Sequence, residues 1–171
     1  MVRRFLRQTD AVAAIEFAII APIVVVLLGA MLEFGMYFQV YSAVNRLASQ
    51  YAISWSDCSD SPAGTCLTEA GNYTTSAAVR NLSPVLTSAD VTVRLLQVRL
   101  TGSTIAVTYS SPSGATLTAA ETAAINSKLT GGDAGVVATV TYVHHLVFFA
   151  SIVSPWLGNK LTITGRVVQL K

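Results

Sequence analysis

Three groups of residues in this chain carry side chains able to do chemistry. They are the carboxylates Glu16 and Glu33 within and after an apolar run, the cysteines Cys58 and Cys66, and the adjacent histidines His144 and His145. Glu16 is the anomaly, because it is the only formal charge between Ala11 and Leu32. A carboxylate deep in hydrocarbon costs about 2.5–3.5 kcal/mol even on lenient insertion scales, so it needs a partner or access to water. One reading lets Glu16 reach back to water or to Arg7 at an interface. The other pairs it with the amino group that a cut between Ala11 and Val12 would create, on its own subunit or on a neighbour. Physical chemistry alone leaves both open. The cysteines enclose a short segment containing Pro62 and Gly64, which reads as a disulfide-closed loop in an oxidising compartment. Two thiolates supply only half of a tetrahedral metal shell. His144 and His145 are neighbours in a stretch that reads as the end of a strand, where successive side chains point to opposite faces and do not share one metal.

These residues depend on a long N-terminal element. An apolar run from Ala11 to Leu32 is about the ~20 residues a helix needs to cross a bilayer. Beyond Glu33, Gly35 is the one helix breaker, and Val40, Val44, Leu47 and Tyr51 recur at helical spacing as a single apolar face. The pattern predicts one helix over about 12–55, embedded in lipid to about 38, with its second half carrying an apolar stripe into a domain over 56–171. Pro22 removes one intrahelical hydrogen bond, which membrane helices tolerate. Ala14, Ala18 and Ala21 offer small surfaces for close packing between helices. Arg3, Arg4 and Arg7 precede the run in a basic leader over 1–11, and basic residues beside a first span stay in the cytoplasm. The expected topology is a single pass with a cytoplasmic N-terminus and an extracytoplasmic C-terminal domain.

Downstream, Ser76–Leu82 has a weak helical pattern, and Val91–Leu100 with Thr104–Tyr109 reads as a hairpin turning over Thr101-Gly-Ser. Leu117–Leu129 reads as a modest helix or a surface excursion, and Val136–Val143 and Leu161–Leu170 as strands. In the last of these, Leu161, Ile163, Gly165, Val167 and Gln169 share one face, which is expected to meet the long helix. The fold class is therefore α+β: a long transmembrane helix continuing into a small domain with an antiparallel sheet of three or four strands. The segment from His144 to Gly158 is apolar and interrupted by Pro155. It reads as a buried loop or as an edge meeting a partner subunit or lipid, with Phe148, Phe149 and Trp156 as the candidate anchors.

Charged residues make up 12% of the chain, too few for a nucleic-acid binder, and the formal net charge is only +2. No His-Glu-x-x-His, Gly-x-Ser-x-Gly or phosphate-loop motif occurs. The expectation is a protein without catalytic residues, cofactor, metal or nucleic-acid partner.

The run Ala11-Val-Ala-Ala-Ile-Glu-Phe-Ala-Ile-Ile-Ala-Pro, followed by apolar residues and Leu32-Glu-Phe-Gly, resembles the TadE/TadG-like family. These are minor pilin-like or pseudopilin-like proteins of the bacterial tight-adherence (Flp type IVb) pilus system. Glu16, Phe17 and Pro22 fall on the family's motif, Glu33 and Gly35 match its far end, and the specific part covers about residues 3–37. The resemblance implies a pilin-like fold, targeting to the bacterial inner membrane, and other pilin-like subunits and inner-membrane assembly proteins as partners beside the lipid bilayer. It also implies trimming by a prepilin peptidase between Ala11 and Val12, which would leave Glu16 fifth in the mature chain. Ala11 departs from the glycine usual at that cut. The implied function is a minor or accessory subunit in pilus assembly and surface attachment, with entry into the extracellular filament. The alternative is an uncleaved single-span scaffold of the assembly or secretion machinery.

Overall fold

The computed structural model describes residues 2–57, 76–148 and 160–171. Cys58, Cys66, Phe149 and Trp156 lie outside the described residues, so their expected roles have no structural counterpart here. The chain forms two compact units, one of Met1–Tyr37 with His145–Asn159 and one of Phe38–His144 with Lys160–Lys171.

Helix α1 runs from Val2 to Asp57 with Pro22 inside it. It starts earlier than the pattern predicted, taking in the basic leader, where no residue is a helix breaker. In the first unit its surface is almost wholly exposed from Val12 to Leu32, apolar side chains included. In the second unit the expected stripe is buried: Val40, Val44, Leu47 and Tyr51 are at most 5% exposed, and Ala43, Ala48, Ala52 and Trp55 extend it. Spacings of three and four keep these positions on one side of the helix.

The stripe lies on one face of an antiparallel sheet whose strand order is β2-β1-β3-β4. Its strands are β1 (Val91–Thr101), β2 (Thr104–Ser111), β3 (Ala134–His145) and β4 (Lys160–Leu170). Strands β1 and β2 form a hairpin closed at Thr101↔Thr104. Its two-residue loop begins with Gly102 at φ +62, a position that disfavours any side chain. Strand β1 also pairs with β3, setting Leu95 beside Ala138 and Leu96 beside Val137. The Lys171 N–H donates to the Ala134 carbonyl at 3.0 Å, joining the end of β4 to the start of β3. Pro112, without an N–H, follows the last residue of the edge strand β2.

Alternation along the strands gives the sheet two buried faces. Leu95, Val136, Ala138, Val140 and Ile163 belong to the face toward α1. There Trp55 meets Tyr109 of β2 with ring centroids 5.1 Å apart, and Gly165 of β4 lies against Val44. The opposite face, with Leu96, Val98, Leu100 and Val137, packs on Ile125 and on Leu129 just past helix α3 (Ala119–Lys128). The segment read as a modest helix or a surface excursion is thus a second covering layer. A short helix α2 (Ser76–Leu82) precedes β1, and the Arg46 guanidinium donates to the Leu82 carbonyl at 3.5 Å.

At Gly165 the backbone of β4 comes close to α1. A Cβ there would lie 3.0 Å from Val44 Cγ1 and from Asn45 Oδ1, and 3.1 Å from the Val44 carbonyl oxygen. The Gly165→Ala variant is expected to unfold about 1–3 kcal/mol more easily through overpacking, less what a stiffer unfolded chain returns. Thermal unfolding of the detergent-solubilised full chain checks this, and an unchanged midpoint would mean that the helix yields freely at this contact.

Candidate functional site

The first locus is the exposed stretch of α1. Phe17 is 73% exposed and Val12 is 56% exposed. Glu16 lies among them with its carboxylate open, and Ala14, Ala18 and Pro22 are likewise uncovered, with Ala21 partly so. Helix geometry puts Ala14 and Ala18 one turn apart, and the N-terminal stretch thus offers a helix surface with one charge on it. This part of α1 is long and apolar enough to cross a membrane. Gly35, near its far end, has nothing within 4 Å of the place a Cβ would occupy.

The second locus is Glu33. Its side chain is buried at 7% exposure, unlike its neighbours Leu32 and Phe34. The carboxylate accepts the backbone N–H of Phe148 at 2.9 Å through Oε2. It accepts that of Val147 at 3.1 Å through Oε2 and 3.3 Å through Oε1. Two successive backbone N–H groups thus converge on one side-chain acceptor. The corner that follows β3 is thereby tied to α1 while Val147 and Phe148 keep their side chains outward, 62% and 48% exposed.

Residues 11–52 match the family model for TadE-like protein. No curated protein and no solved structure matches the chain. The TadE-like segment takes in the exposed apolar stretch, Glu16, Phe17, Pro22, Glu33 and Gly35, and the buried stripe as far as Ala52. It stops before the sheet, so residues 53–171 fall outside the match. The helix positions singled out in the sequence therefore share one element with the TadE-like segment; Glu33 is drawn into a contact within the first unit, and Val40, Val44, Leu47 and Tyr51 are buried within the second.

A third polar cluster holds the C-terminal domain together. Thr118 caps α3: its hydroxyl accepts the Glu121 N–H at 3.2 Å, and its own N–H donates to Glu121 Oε2 at 2.8 Å. Glu121, 1% exposed, also accepts the Thr139 hydroxyl at 2.9 Å and lies 3.3 Å from the Arg94 guanidinium. Arg94 and Thr139 are register partners on β1 and β3, so the sheet presents both to one carboxylate. Burial opposes ionisation of Glu121, but the Thr118 amide and hydroxyl, the Thr139 hydroxyl and the Arg94 charge together hold its carboxyl below the ordinary value. Near the start of β3, Thr130 donates its amide and hydroxyl to Asp133, which lowers that carboxyl too. The signal for the α3 cluster was present as Thr118-x-x-Glu121, a capping-box spacing.

Among the described residues no group of three or more His, Cys, Asp or Glu side chains is placed to hold a metal ion. His144 is buried and His145 exposed, the alternation expected of strand neighbours. One described cleft, of about 310 Å³, runs along the edge strand and is lined by Val107, Tyr109 and Ser113.

Proposed function

We propose that this chain is a minor or accessory pilin-like subunit in the assembly of a tight-adherence pilus, anchored in the bacterial inner membrane by α1. The observation that supports this most is the coincidence of the TadE-like match over 11–52 with an exposed apolar helix carrying one internal carboxylate. A helix of that kind is disfavoured in water and is suited to lipid and to packing among equivalent helices. In this reading the basic leader faces the cytoplasm, the sheet domain lies on the periplasmic side, and a prepilin peptidase cuts between Ala11 and Val12. The new amino group then lies one helical turn before Glu16, within reach of that carboxylate on a neighbouring subunit. Partners are other pilin-like subunits and the inner-membrane assembly proteins. The work of the protein is association through α1, with no reaction chemistry required.

Mass spectrometry of sheared surface filaments beside the inner-membrane fraction tests the proposal. The expected result is a chain beginning at Val12 and present in the filament fraction. A chain confined to the inner membrane and still carrying Arg3 and Arg4 would overturn it in favour of the uncleaved scaffold.

A further inference from the structure

We propose that the Val147–Phe148 corner, held by the Glu33 carboxylate, docks into the lipid interface of the membrane that α1 spans and gives the chain a second attachment to the bilayer. This rests on reading α1 as a membrane-spanning helix. The first argument is axial position. The 21 residues from Val12 to Leu32 rise about 31 Å as a helix, close to the ~30 Å hydrocarbon thickness. Glu33 follows at once, so its carboxylate sits at the boundary where hydrocarbon gives way to headgroups. Hydrogen bonds of 2.9–3.3 Å then fix the backbone of Val147 and Phe148 at that same level.

The second argument is what the corner turns outward. Its two backbone N–H groups are spent on Glu33, while the valine and phenylalanine side chains are 62% and 48% exposed. Backbone donors entering a low-dielectric layer without acceptors carry a large penalty, and the carboxylate removes it. The same bonds give the carboxylate two donors, so neither partner enters the interface bare. Phe34, beside Glu33 on α1, is 63% exposed, and Tyr37 follows one turn later. Aromatic side chains at the level of the headgroups are a recurring feature of membrane anchors. The corner Leu146–Phe148 carries no charge that would hold it in water. Lipid is favoured over a protein partner because the corner is continuous with the end of the span, where lipid is the surrounding medium.

The test uses the full chain reconstituted in phosphatidylcholine vesicles whose acyl chains carry bromine either near the headgroup or near the bilayer centre. A Phe148→Trp reporter is compared with the parent chain, so that emission from Trp55 and Trp156 is subtracted, and an Ile23→Trp reporter, one residue past the midpoint of Val12–Leu32, reads the middle of the span. Interfacial groups lie ~5–10 Å into the headgroup–acyl boundary, so Phe148→Trp is expected to be quenched about twofold more by the shallow bromine than by the deep one. Ile23→Trp should show the reverse order. Adding Glu33→Ala to Phe148→Trp should bring its shallow quenching close to the unbrominated baseline, with Glu33→Gln, which retains an acceptor, in between. If Ile23→Trp is quenched while Phe148→Trp is not, the span stands and the docking is overturned. Access of aqueous iodide to that unquenched reporter would mean a water-facing corner, and protection from iodide a protein partner. If Ile23→Trp is itself unquenched, the spanning reading fails and the docking falls with it. Shallow quenching that survives Glu33→Ala would overturn the part assigned to Glu33.

Discussion

Glu121→Ala is expected to destabilise the sheet domain by about 2–4 kcal/mol, from a lost helix cap and unpaired buried groups. The side chain closes the capping box on Thr118, accepts the Thr139 hydroxyl and faces the Arg94 guanidinium. Removing it leaves the Thr139 hydroxyl without its acceptor at a position only 8% exposed. Arg94 loses its counter-charge too, but its side chain is 23% exposed and water compensates part of that loss. The expected cost therefore stays below the upper end reported for a sealed ion pair, about 5 kcal/mol. Chemical unfolding of the full chain, followed by circular dichroism, measures it. Coincident unfolding curves for the variant and the parent would refute the role given to this carboxylate. The pH dependence has a definite sign. Because the folded carboxyl is held below its ordinary value of 4.5, its stabilisation is complete above that pH and is lost as pH falls through the lower folded value. Glu121→Gln should flatten this part of the acid limb.

Glu16→Ala is expected to insert in the membrane at least as well as the parent, yet to fall at least about 30-fold in recovery with sheared filaments, the equivalent of ~2 kcal/mol for one lost partner of a desolvated charge pair. The two effects run in opposite directions for one reason. A carboxylate within hydrocarbon penalises insertion by about 2.5–3.5 kcal/mol, so losing it helps the lone helix. In the proposed assembly the same loss deprives a neighbouring subunit's amino terminus of its counter-charge. Glu16→Gln separates charge from size and should assemble as poorly as alanine. Equal filament recovery for parent and both variants would take Glu16 out of the proposed pairing with a neighbouring amino terminus and leave it as a tolerated interfacial charge.

Most of the architecture was legible because periodicity and burial report on each other. Val40, Val44, Leu47 and Tyr51 could be read as a buried stripe since helical spacing leaves no other use for them on a polar helix half. Ile163 and Gly165 could be assigned to the face toward α1 by parity, and the contact of Gly165 with Val44 agrees, whereas Leu161 at the start of β4 is 43% exposed. The second layer was harder to see. Helix α3 contains Ala119, Ala120, Ala123 and Ala124, which give weak periodicity, and its buried side is marked within the helix by one apolar residue, Ile125, beside the carboxylate Glu121. Its start was nevertheless written in Thr118-x-x-Glu121, a local signal whose two hydrogen bonds need no knowledge of the sheet.

The sequence by itself determined the apolar helix, its single internal carboxylate, the stripe that follows, and the alternation of the strands. These are local properties, set by side-chain type at fixed spacing along one element. Only the tertiary structure decided what Glu33 and Glu121 do. Glu33 reads as the charge that ends a span, and the chain has to return 114 residues later for it to receive the Val147 amide. Glu121 stands at a capping-box spacing from Thr118, and only the pairing of β1 with β3 brings Arg94 and Thr139 to the same carboxylate. Contacts between distant segments depend on register and layer order, which no local pattern encodes, and both buried carboxylates owe their partners to them.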